Sequence, residues 1–394
     1  MTDKLVPLPV WPAFDDDFLA ATRRVLESGK VNYWTGPEGR AFESEFARWI
    51  GTRHAIAVAN GTVALEMPLE AAGIGAGDEV IVTPRTFIAS ASAAVRLGAI
   101  PVFADVDRDS GNIDASSIEK VLTTKTKAII VVHLAGWPAE MDEILELARD
   151  HGILVLEDCA QSHGATYRGQ MTGALSEVAA FSFCQDKIMT TLGEGGMVTT
   201  SNAELWDRMW SIKDHGKDYR TVFEKQHPPG FRWLHESFGT NYRMTEVQSA
   251  AGRVALGKID GWIARRLEIA ARYRAALADR PVVRVPVTPA HSNHVYYRFY
   301  AYVEPARLAS GWSRDRIMTE LNALGVPCLS GTCSEIYFEQ AFEKRGWTPQ
   351  ERLPVARELG ETTLQFPMHP LLTNEQVDRM MELTRDVLDR ATAR

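Results

Sequence analysis

The chain has 394 residues, a formal net charge of -8 and 45% hydrophobic residues. This length is enough for two domains, and so acidic a chain is a poor candidate for general nucleic-acid binding. None of its four cysteines is spaced C-x-x-C, so neither a zinc ribbon nor a thioredoxin motif is indicated, and we predict no metal site. We expect reduced thiols, a cytoplasmic location and, because no apolar stretch is long enough for a membrane span, no membrane partner.

The first half of the chain follows a regular alternation. After two predicted helices within residues 1–50, short apolar runs alternate with amphipathic helical patterns. This alternation is typical of an α/β fold in which helices flank a mostly parallel, doubly wound sheet. The runs that predict its strands are HAIAVA, DEVIVT, PVFADVD, KAIIVVHL, ILVLED, VAAFSF and GGMVTTS.

Residues 217–238 interrupt this alternation with an irregular, aromatic-rich stretch. Long loops in compact domains are usually lids or contact elements, and we expect the same of this one. A helical pattern from Met244 to about Ala278 then predicts a long helix that leads into a second domain. We therefore predict a large domain over residues 1–260 and a smaller α+β domain over residues 261–394.

Lys187 stands shortly after an apolar strand and ahead of the glycine cluster at residues 193–196. Ligands of open parallel sheets bind outside the carboxyl ends of the strands, so this lysine is placed where a ligand would lie. Most lysines are solvated surface charges, and that interpretation stays open here. The alternative is an amine that loses part of its preference for the charged form among apolar walls and, as a nucleophile, forms a Schiff base.

Three other predicted strand ends carry residues that bear on this alternative. Asn60-Gly61-Thr62 opens a helix whose N–H groups can bind an anion, although Thr62 is also a typical N-cap. Phe87 either packs in the core or stacks on a flat ring. Asp158 either caps the next turn or holds a proton on a heteroaromatic nitrogen. An anion seat, a stacking ring, a carboxylate and an amine together match the requirements of pyridoxal 5′-phosphate (PLP).

Three longer segments resemble a known family. EDCAQSHGATYRGQMTG, FSFCQDKIMTTLGEGGMVTT and GTNYRMTEVQSAAG are similar to segments of the DegT/DnrJ/EryC1/StrS family of fold-type I aminotransferases, the sugar aminotransferases. The resemblance begins near residue 31 and fades after about residue 300. It implies the fold-type I PLP-transferase fold, in which a large domain with a mostly parallel seven-stranded sheet is joined to a smaller α+β C-terminal domain.

The resemblance implies a role for each matched residue. Lys187 looks like the lysine that holds PLP as a Schiff base, and Asp158 like the carboxylate that pairs with the pyridine nitrogen. Gln161 is similar to the residue that contacts the ring hydroxyl, and Phe87 to the aromatic residue that stacks on the ring. Asn241 matches an asparagine that reaches the phosphate from the partner subunit, which implies a homodimer with shared active sites. The positions that match phosphate-binding residues are Gly61, Thr62, Val63 and Ser182.

The resemblance also implies a reaction, which belongs to amino sugar and polysaccharide biosynthesis. A PLP-dependent aminotransferase would move an amino group from L-glutamate or L-glutamine to a keto sugar by a ping-pong mechanism. A nucleotide-linked 4-keto-6-deoxyhexose is the leading acceptor, with a 3-keto nucleotide sugar or a cyclic polyol ketone as alternatives. The candidates for substrate binding, each of which is alternatively a solvated charge or a structural side chain, are Tyr33, Trp34, Arg85, His163, Glu194, Arg243 and His369.

Two departures from the family pattern bear on the substrate. Leu192 stands where many relatives have glycine, which predicts a stiffer or shifted lysine loop, and residues 330–337 differ in the region that helps bind substrate. Two other classes of protein stay open as alternatives. One is a non-catalytic PLP-binding regulatory protein; the other is an NAD-dependent dehydrogenase, whose glycine fingerprint would have to follow a strand, whereas GIGAG at residues 73–77 follows a helix.

Overall fold

The computed structural model describes residue 5 and residues 7–393. Within these residues, no helix combines the length and the apolar character that a membrane span requires. The α-helices are α1 (Asp16–Ser28), α2 (Glu38–Ile50), α3 (Gly61–Ala71), α4 (Ala89–Arg96), α5 (Ala115–Glu119), α6 (Met141–His151), α7 (Ala203–Lys213), α8 (Tyr219–Phe223), α9 (Glu246–Leu277), α10 (Arg314–Ala323), α11 (Gln340–Glu343), α12 (Pro354–Thr362) and α13 (Asn374–Ala391).

The strands of the described residues form three sheets. Several of them have only two residues, which is too short to show an alternating pattern in the sequence. They are β1 (His54–Val58), β2 (Glu79–Val82), β3 (Ile100–Phe103), β4 (Thr126–Val132), β5 (Leu154–Asp158), β6 (Thr166–Tyr167), β7 (Gln170–Met171), β8 (Val178–Ser182), β9 (Gly196–Thr200), β10 (Val283–Arg284), β11 (Ser292–Asn293), β12 (Phe299–Val303) and β13 (Thr363–Phe366).

The central sheet has seven strands in the order β1–β9–β8–β5–β4–β2–β3. β9 runs antiparallel to both of its neighbours, and the other neighbouring strands pair in parallel. Helices pack on both faces, so successive residues of β8 enter opposite cores: Ala180 joins one and Phe181 the other. The predicted α/β fold with a mostly parallel seven-stranded sheet is confirmed, and burial on both faces explains the continuous apolar runs.

A second hydrophobic core lies around the three-stranded antiparallel sheet β10–β12–β13. Helices α10 and α13 and the C-terminal half of α9 supply many of its other apolar side chains. The apolar runs VVRVP and YYRFYAYV predict β10 and β12, and the helical patterns SRDRIMTELNALG and TNEQVDRMMELTRDVLDR predict α10 and α13. No pattern was assigned to β13, which completes this sheet. The small sheet β11–β6–β7 was also not predicted.

Helix α9 joins the two cores. It begins at a capping box formed by Thr245 and Gln248 and runs for 32 residues, as the sequence predicts. Its first half packs on α1 and α2, and its second half packs on α13. Because α9 passes residue 260 without a break, the division into residues 1–260 and 261–394 stays a prediction.

Candidate active site

A cleft of about 840 Å³ opens at the carboxyl edge of the central sheet. Strands β1, β2, β5 and β8 end at this edge, and the segments that follow them line the cleft. Its volume lies within the range of known cofactor and ligand sites. The residues predicted from the sequence that line it are Gly61, Thr62, Val63, Phe87, Asp158, Gln161, Ser182, Lys187 and Glu194.

Lys187 reaches the cleft with its amine among polar neighbours. Its Nζ lies 3.5 Å from the hydroxyl of Tyr297 and 3.7 Å from Oδ1 of Asp186. Burial by itself would lower the pKa of this amine, but the Tyr297 hydroxyl and the Asp186 carboxylate outweigh burial, so the pKa is raised. The expectation that apolar walls weaken its charged form is therefore wrong for the free lysine. A raised pKa keeps it an ammonium group, which favours an anionic ligand.

Asp158 ends β5 with a buried carboxyl group on the cleft wall. Oδ2 accepts a hydrogen bond from Ser90 Oγ at 2.7 Å, and Oδ1 accepts one from the N–H of Ala160 at 3.1 Å. Burial raises the pKa of this carboxyl group, and the two hydrogen bonds and the charge of Lys187 offset only part of that effect. Asp158 therefore caps the next turn and also favours a ligand with a positively charged N–H.

Phe87 and Gln161 both face the cleft. Phe87 is 66% exposed, so the core alternative for this ring is wrong, and a large exposed aromatic ring in a cleft is suited to stacking on a flat ligand. Gln161 is held by the N–H of Ala135, which donates to its Oε1 at 2.8 Å. Its NH₂ group is then left to donate to a ligand.

The N-terminus of α3 lies against the end of β8. A Cβ atom on Gly61 would stand 2.5 Å from the Cβ of Ser182, so only glycine allows this approach. Asn60, not Thr62, is the N-cap: its Oδ1 accepts from the N–H of Val63 at 3.1 Å. The N-cap interpretation of Thr62 is therefore wrong, and Val63 has its N–H already engaged. The helix start and the Ser182 hydroxyl form one anion seat.

These features fit PLP. The seat at α3 is suited to a phosphate, the exposed ring of Phe87 to the pyridine face, and the buried carboxylate of Asp158 to the ring N–H. The Lys187 amine lies on the wall of the same cleft. The donor set therefore supports the cofactor that the sequence predicts.

Arg85 does not lie on the cleft wall. Its guanidinium is fully buried, where it donates to Ser334 Oγ at 2.6 Å and to Thr363 Oγ1 at 2.9 Å. Arg85 is thus neither a solvated charge nor free to bind substrate, and its prediction as a substrate residue is wrong. It ties the segment after β2 to residues 334 and 363, which belong to the C-terminal part of the chain.

Tyr33, Trp34 and Arg243 lie in a separate cluster, off the wall of this cleft. Tyr33 is buried and donates to Glu43 at 3.0 Å, and the ring of Trp34 stacks on that of Phe223 at 5.8 Å between centroids. Arg243 donates to Asp214 at 2.9 Å. Among the described residues, the Trp34 indole N–H and Nε of Arg243 are buried without a hydrogen-bond partner. None of the three residues lines the cleft of its own chain, so their role in binding substrate stays a prediction.

The two candidate histidines also lie off the cleft wall. His163 is fully buried between the rings of Phe181 and Phe183, and burial, with a contribution from the charge of Lys187, lowers its pKa to about 3. Burial and two nearby arginines lower the pKa of His369 to about 4. Both side chains are therefore neutral near pH 7, and their position off the cleft wall favours the structural alternative over a role in the sugar site.

Asn241 is exposed and lies off the wall of the cleft in its own chain. Its backbone pairs with that of Asp214, and its Oδ1 accepts from the N–H of Arg243 at 3.3 Å. A phosphate contact from the partner subunit stays a prediction for this residue.

Several cleft residues were not predicted from the sequence. Ser90 orients Asp158, and Arg96 lines the cleft with a largely exposed side chain. Tyr297, Arg298 and Thr332 come from the C-terminal part of the chain, more than a hundred residues beyond Lys187. No local motif marks them, although the aromatic run YYRFY at residues 296–300 is an unusual feature of the sequence.

Leu192 adopts the backbone conformation that glycine favours. Its φ is +64°, in the left-handed region, and its side chain is 38% exposed. Leucine pays a steric cost there, which gives a physical reason for glycine at this position. The second departure from the family pattern is the segment of residues 330–337. Two of its residues, Gly331 and Thr332, line the cleft.

One buried group of His133, Glu157 and Cys159 has side chains that could ligate a metal. The Glu157 oxygens already accept from the N–H groups of Gly173, Leu175 and Ser176 at 2.8–3.0 Å, and from a ring nitrogen of His133 at 3.0 Å. This group therefore anchors residues 173–176 to β5, the strand that carries Asp158.

The sheet and the cleft define a class of protein, the fold-type I aminotransferases. The sequence signature of the DegT/DnrJ/EryC1/StrS aminotransferase family matches residues 12–385, and the chain belongs to this family. It is therefore an aminotransferase, which rules out the dehydrogenase alternative.

Three relatives illustrate the match. The X-ray structure of an aminotransferase from Psychrobacter cryohalolentis is 53% identical, with a TM-score of 0.96 over 98% of this chain and 100% of that chain. The dTDP-3-amino-3,4,6-trideoxy-alpha-D-glucose transaminase of Streptomyces venezuelae is 37% identical over 94% of this chain and 92% of its own length. The GDP-perosamine synthase of Caulobacter vibrioides is 38% identical over 90% of this chain and 92% of its own length.

Proposed function

We propose that this aminotransferase uses PLP to move an amino group from L-glutamate or L-glutamine to a nucleotide-linked keto sugar. The observation that carries the proposal is the convergence of the Lys187 amine and the Asp158 carboxylate on one cleft, beside the exposed ring of Phe87. Bound PLP supplies the electron sink that allows bonds to Cα of an amino acid to break.

Each residue of the chain has a defined task in this proposal. The start of α3 and the Ser182 hydroxyl bind the phosphate, and Phe87 covers the ring. Asp158, oriented by Ser90, holds the proton on the ring nitrogen. Lys187 would hold the cofactor through its amine, and its Nζ would move a proton as general base and then acid.

The acceptor is argued from the relatives and from the cleft. One relative is named for a dTDP-linked 3-amino sugar and another for a GDP-linked sugar, so we propose a nucleotide-linked keto sugar without assigning the nucleotide. We propose a 4-keto-6-deoxyhexose as the first candidate, and the relative named for a 3-amino sugar favours a 3-keto sugar as the second. Arg96, which is largely exposed on the cleft wall, is the cation best placed for the diphosphate.

We further propose a homodimer with shared active sites. Phe231, Trp233 and Phe238 are 79–99% exposed within or next to the irregular stretch at residues 217–238, and neighbouring aromatic rings of this kind favour burial against another protein surface. Asn241, which lies off its own cleft, would then reach the partner's phosphate seat. Mixed dimers of Lys187→Ala and Asn241→Ala chains would contain one site with both native residues, and should regain activity that neither variant has alone.

The proposed reaction is tested by absorbance. Addition of L-glutamate to the PLP-loaded protein should remove the visible band of bound PLP, and a nucleotide-linked 4-keto or 3-keto sugar should restore it. An inosose in place of the sugar tests the cyclic polyol alternative. A PLP band that neither L-glutamate nor L-glutamine changes would contradict the proposal and support a non-catalytic PLP-binding protein.

A further inference from the structure

Tyr297 connects the Lys187 amine to a carboxylate at the cleft opening. Its hydroxyl lies 3.5 Å from Nζ of Lys187 and donates a hydrogen bond to Oδ2 of Asp186. Asp186 also accepts from Arg298 at 3.1 Å, and about half of its side chain is exposed to solvent. A continuous path of polar groups therefore leads from the partly buried amine through a phenol to a carboxylate in contact with water.

Tyr297 and Lys187 are both held in place by hydrogen bonds of their backbones. The N–H of Tyr297 donates to the carbonyl of Ala135 at 2.7 Å, and its own carbonyl accepts from the buried guanidinium of Arg266 at 3.4 Å. On the other side, the indole N–H of Trp11 donates to the carbonyl of Lys187 at 2.9 Å. Tyr297 is itself only 6% exposed. This anchoring holds the hydroxyl and the amine at hydrogen-bonding distance.

We propose that Tyr297 and Asp186 are positioning residues that hold the Lys187 amine and carry its proton to and from solvent; this inference rests on the proposed function of Lys187. The Lys187 ammonium gives a proton to the Tyr297 oxygen while Tyr297 gives its own proton to Asp186, which releases it to water. The reverse sequence recharges the amine. Each step breaks one O–H or N–H bond and forms another, and no electrons are gained or lost.

The charges around the path keep the proton on Lys187 at rest, so Asp186 holds a proton only during the transfer. Burial raises the pKa of Tyr297, so its hydroxyl stays protonated and can both donate and accept. Burial would raise the pKa of Asp186, but the Lys187 charge and the Tyr297 hydrogen bond outweigh it, so this carboxyl group stays ionised. Asp158 is the other acidic group that favours the Lys187 ammonium, and the neutral His163 lies nearby.

The first test uses the cofactor-free protein. Lysines are labelled with acetic anhydride over a range of pH, and peptide mass spectrometry gives the midpoint of Lys187 acetylation. Tyr297→Phe and Asp186→Asn should each lower this midpoint, so that labelling of Lys187 at pH 8 rises by roughly tenfold for each unit that its pKa falls. Tyr300→Phe and Glu194→Gln remove a hydroxyl and a carboxylate from the same cleft, and should leave the midpoint unchanged.

The second test measures the half-reaction of PLP-loaded protein with L-glutamate. Tyr297→Phe should slow it about tenfold or more and shift its pH profile, and Asp186→Glu, which keeps the carboxylate, should restore most of the rate lost in Asp186→Asn. An unchanged midpoint and an unchanged rate in Tyr297→Phe would overturn the inference while the proposed function stands. If native protein reacts with neither L-glutamate nor L-glutamine, it is the proposed function that fails. Tyr297→Phe alone decides the question if Asp186→Asn does not fold.

Discussion

Gly61 and Ser182 approach so closely that a methyl group on Gly61 would stand 2.5 Å from the Cβ of Ser182. The two residues begin α3 and end β8, so this contact brings a helix N-terminus and a hydroxyl to one point of the cleft. The phosphate seat therefore depends on the absence of a side chain at residue 61.

Gly61→Ala should weaken PLP binding by about tenfold or more, because either Ser182 or the start of α3 must move out of the seat. Titration of cofactor-free protein with PLP measures the change in Kd. Gly257→Ala is the matched control. Gly257 lies on the exposed side of α9 with no atom within 4 Å of its missing Cβ, so alanine there should stabilise the protein by about 0.5–1 kcal/mol and leave PLP affinity unchanged.

Asp158→Asn should change stability in opposite directions with and without PLP. Burial raises the pKa of Asp158, so the folded state binds this proton more tightly than the unfolded state does. The contribution of this group to stability is therefore greatest below its ordinary pKa and falls as the pH rises toward the raised value. Without PLP, the variant should melt at a higher temperature than native protein at pH 7.

With PLP the order should reverse, because asparagine cannot neutralise a protonated ring nitrogen. Native protein should gain thermal stability on addition of PLP, and Asp158→Asn should gain little and lose at least ~100-fold in transamination rate. Equal stabilisation of both proteins by PLP, followed over pH 5–9 by calorimetry, would refute the assignment of Asp158 to the ring nitrogen.

Substitution of Arg85 should mainly lower stability, whereas substitution of Arg96 should mainly weaken substrate binding. Arg85→Ala removes a buried guanidinium from Ser334 and Thr363, and should lower the free energy of unfolding by roughly 2–3 kcal/mol. Arg96→Ala should change stability by less than about 0.5 kcal/mol but raise KM for the nucleotide sugar about tenfold. Denaturant unfolding and steady-state kinetics distinguish the two. A raised KM in a normally stable Arg85→Ala would return Arg85 to the substrate site.

Leu192 offers a test of backbone strain. In ordinary conformations glycine is less stable than alanine, but at a φ of +64° the order should invert. Leu192→Gly should therefore be more stable than Leu192→Ala by about 1 kcal/mol. Chemical denaturation of the two variants measures the difference. If alanine proves the more stable of the two, the left-handed conformation of residue 192 is wrong.

The part of the site nearest the sheet could be predicted from the sequence. Asp158 and Ser182 end strands with a clear apolar pattern, Phe87 and Lys187 follow such strands, and parallel strands bring their carboxyl ends to one edge. Their order along the chain is therefore enough to place them together.

The rest of the site depends on packing between distant segments, which no local pattern records. Tyr297 reaches Lys187 from 110 residues away because the backbone before β12 hydrogen-bonds to Ala135. Arg85 follows β2 as a substrate-binding cation would, but residues 334 and 363 fold over it and bury it. Tyr297 and Arg85 are thus a missed and a misplaced residue whose surroundings are set by the C-terminal part of the chain.

The central claim is that Lys187 is the amine that binds PLP. Borohydride reduction of PLP-loaded protein, followed by peptide mass spectrometry, shows which lysine carries the cofactor. The alternative to exclude is Lys213. This residue is fully buried, and burial lowers the pKa of its amine. The amine lies off the cleft wall, 3.8 Å from the ring centre of Tyr33. We predict that the phosphopyridoxyl group is found on Lys187 and is lost in Lys187→Ala; label on Lys213, or on no lysine, would contradict the account.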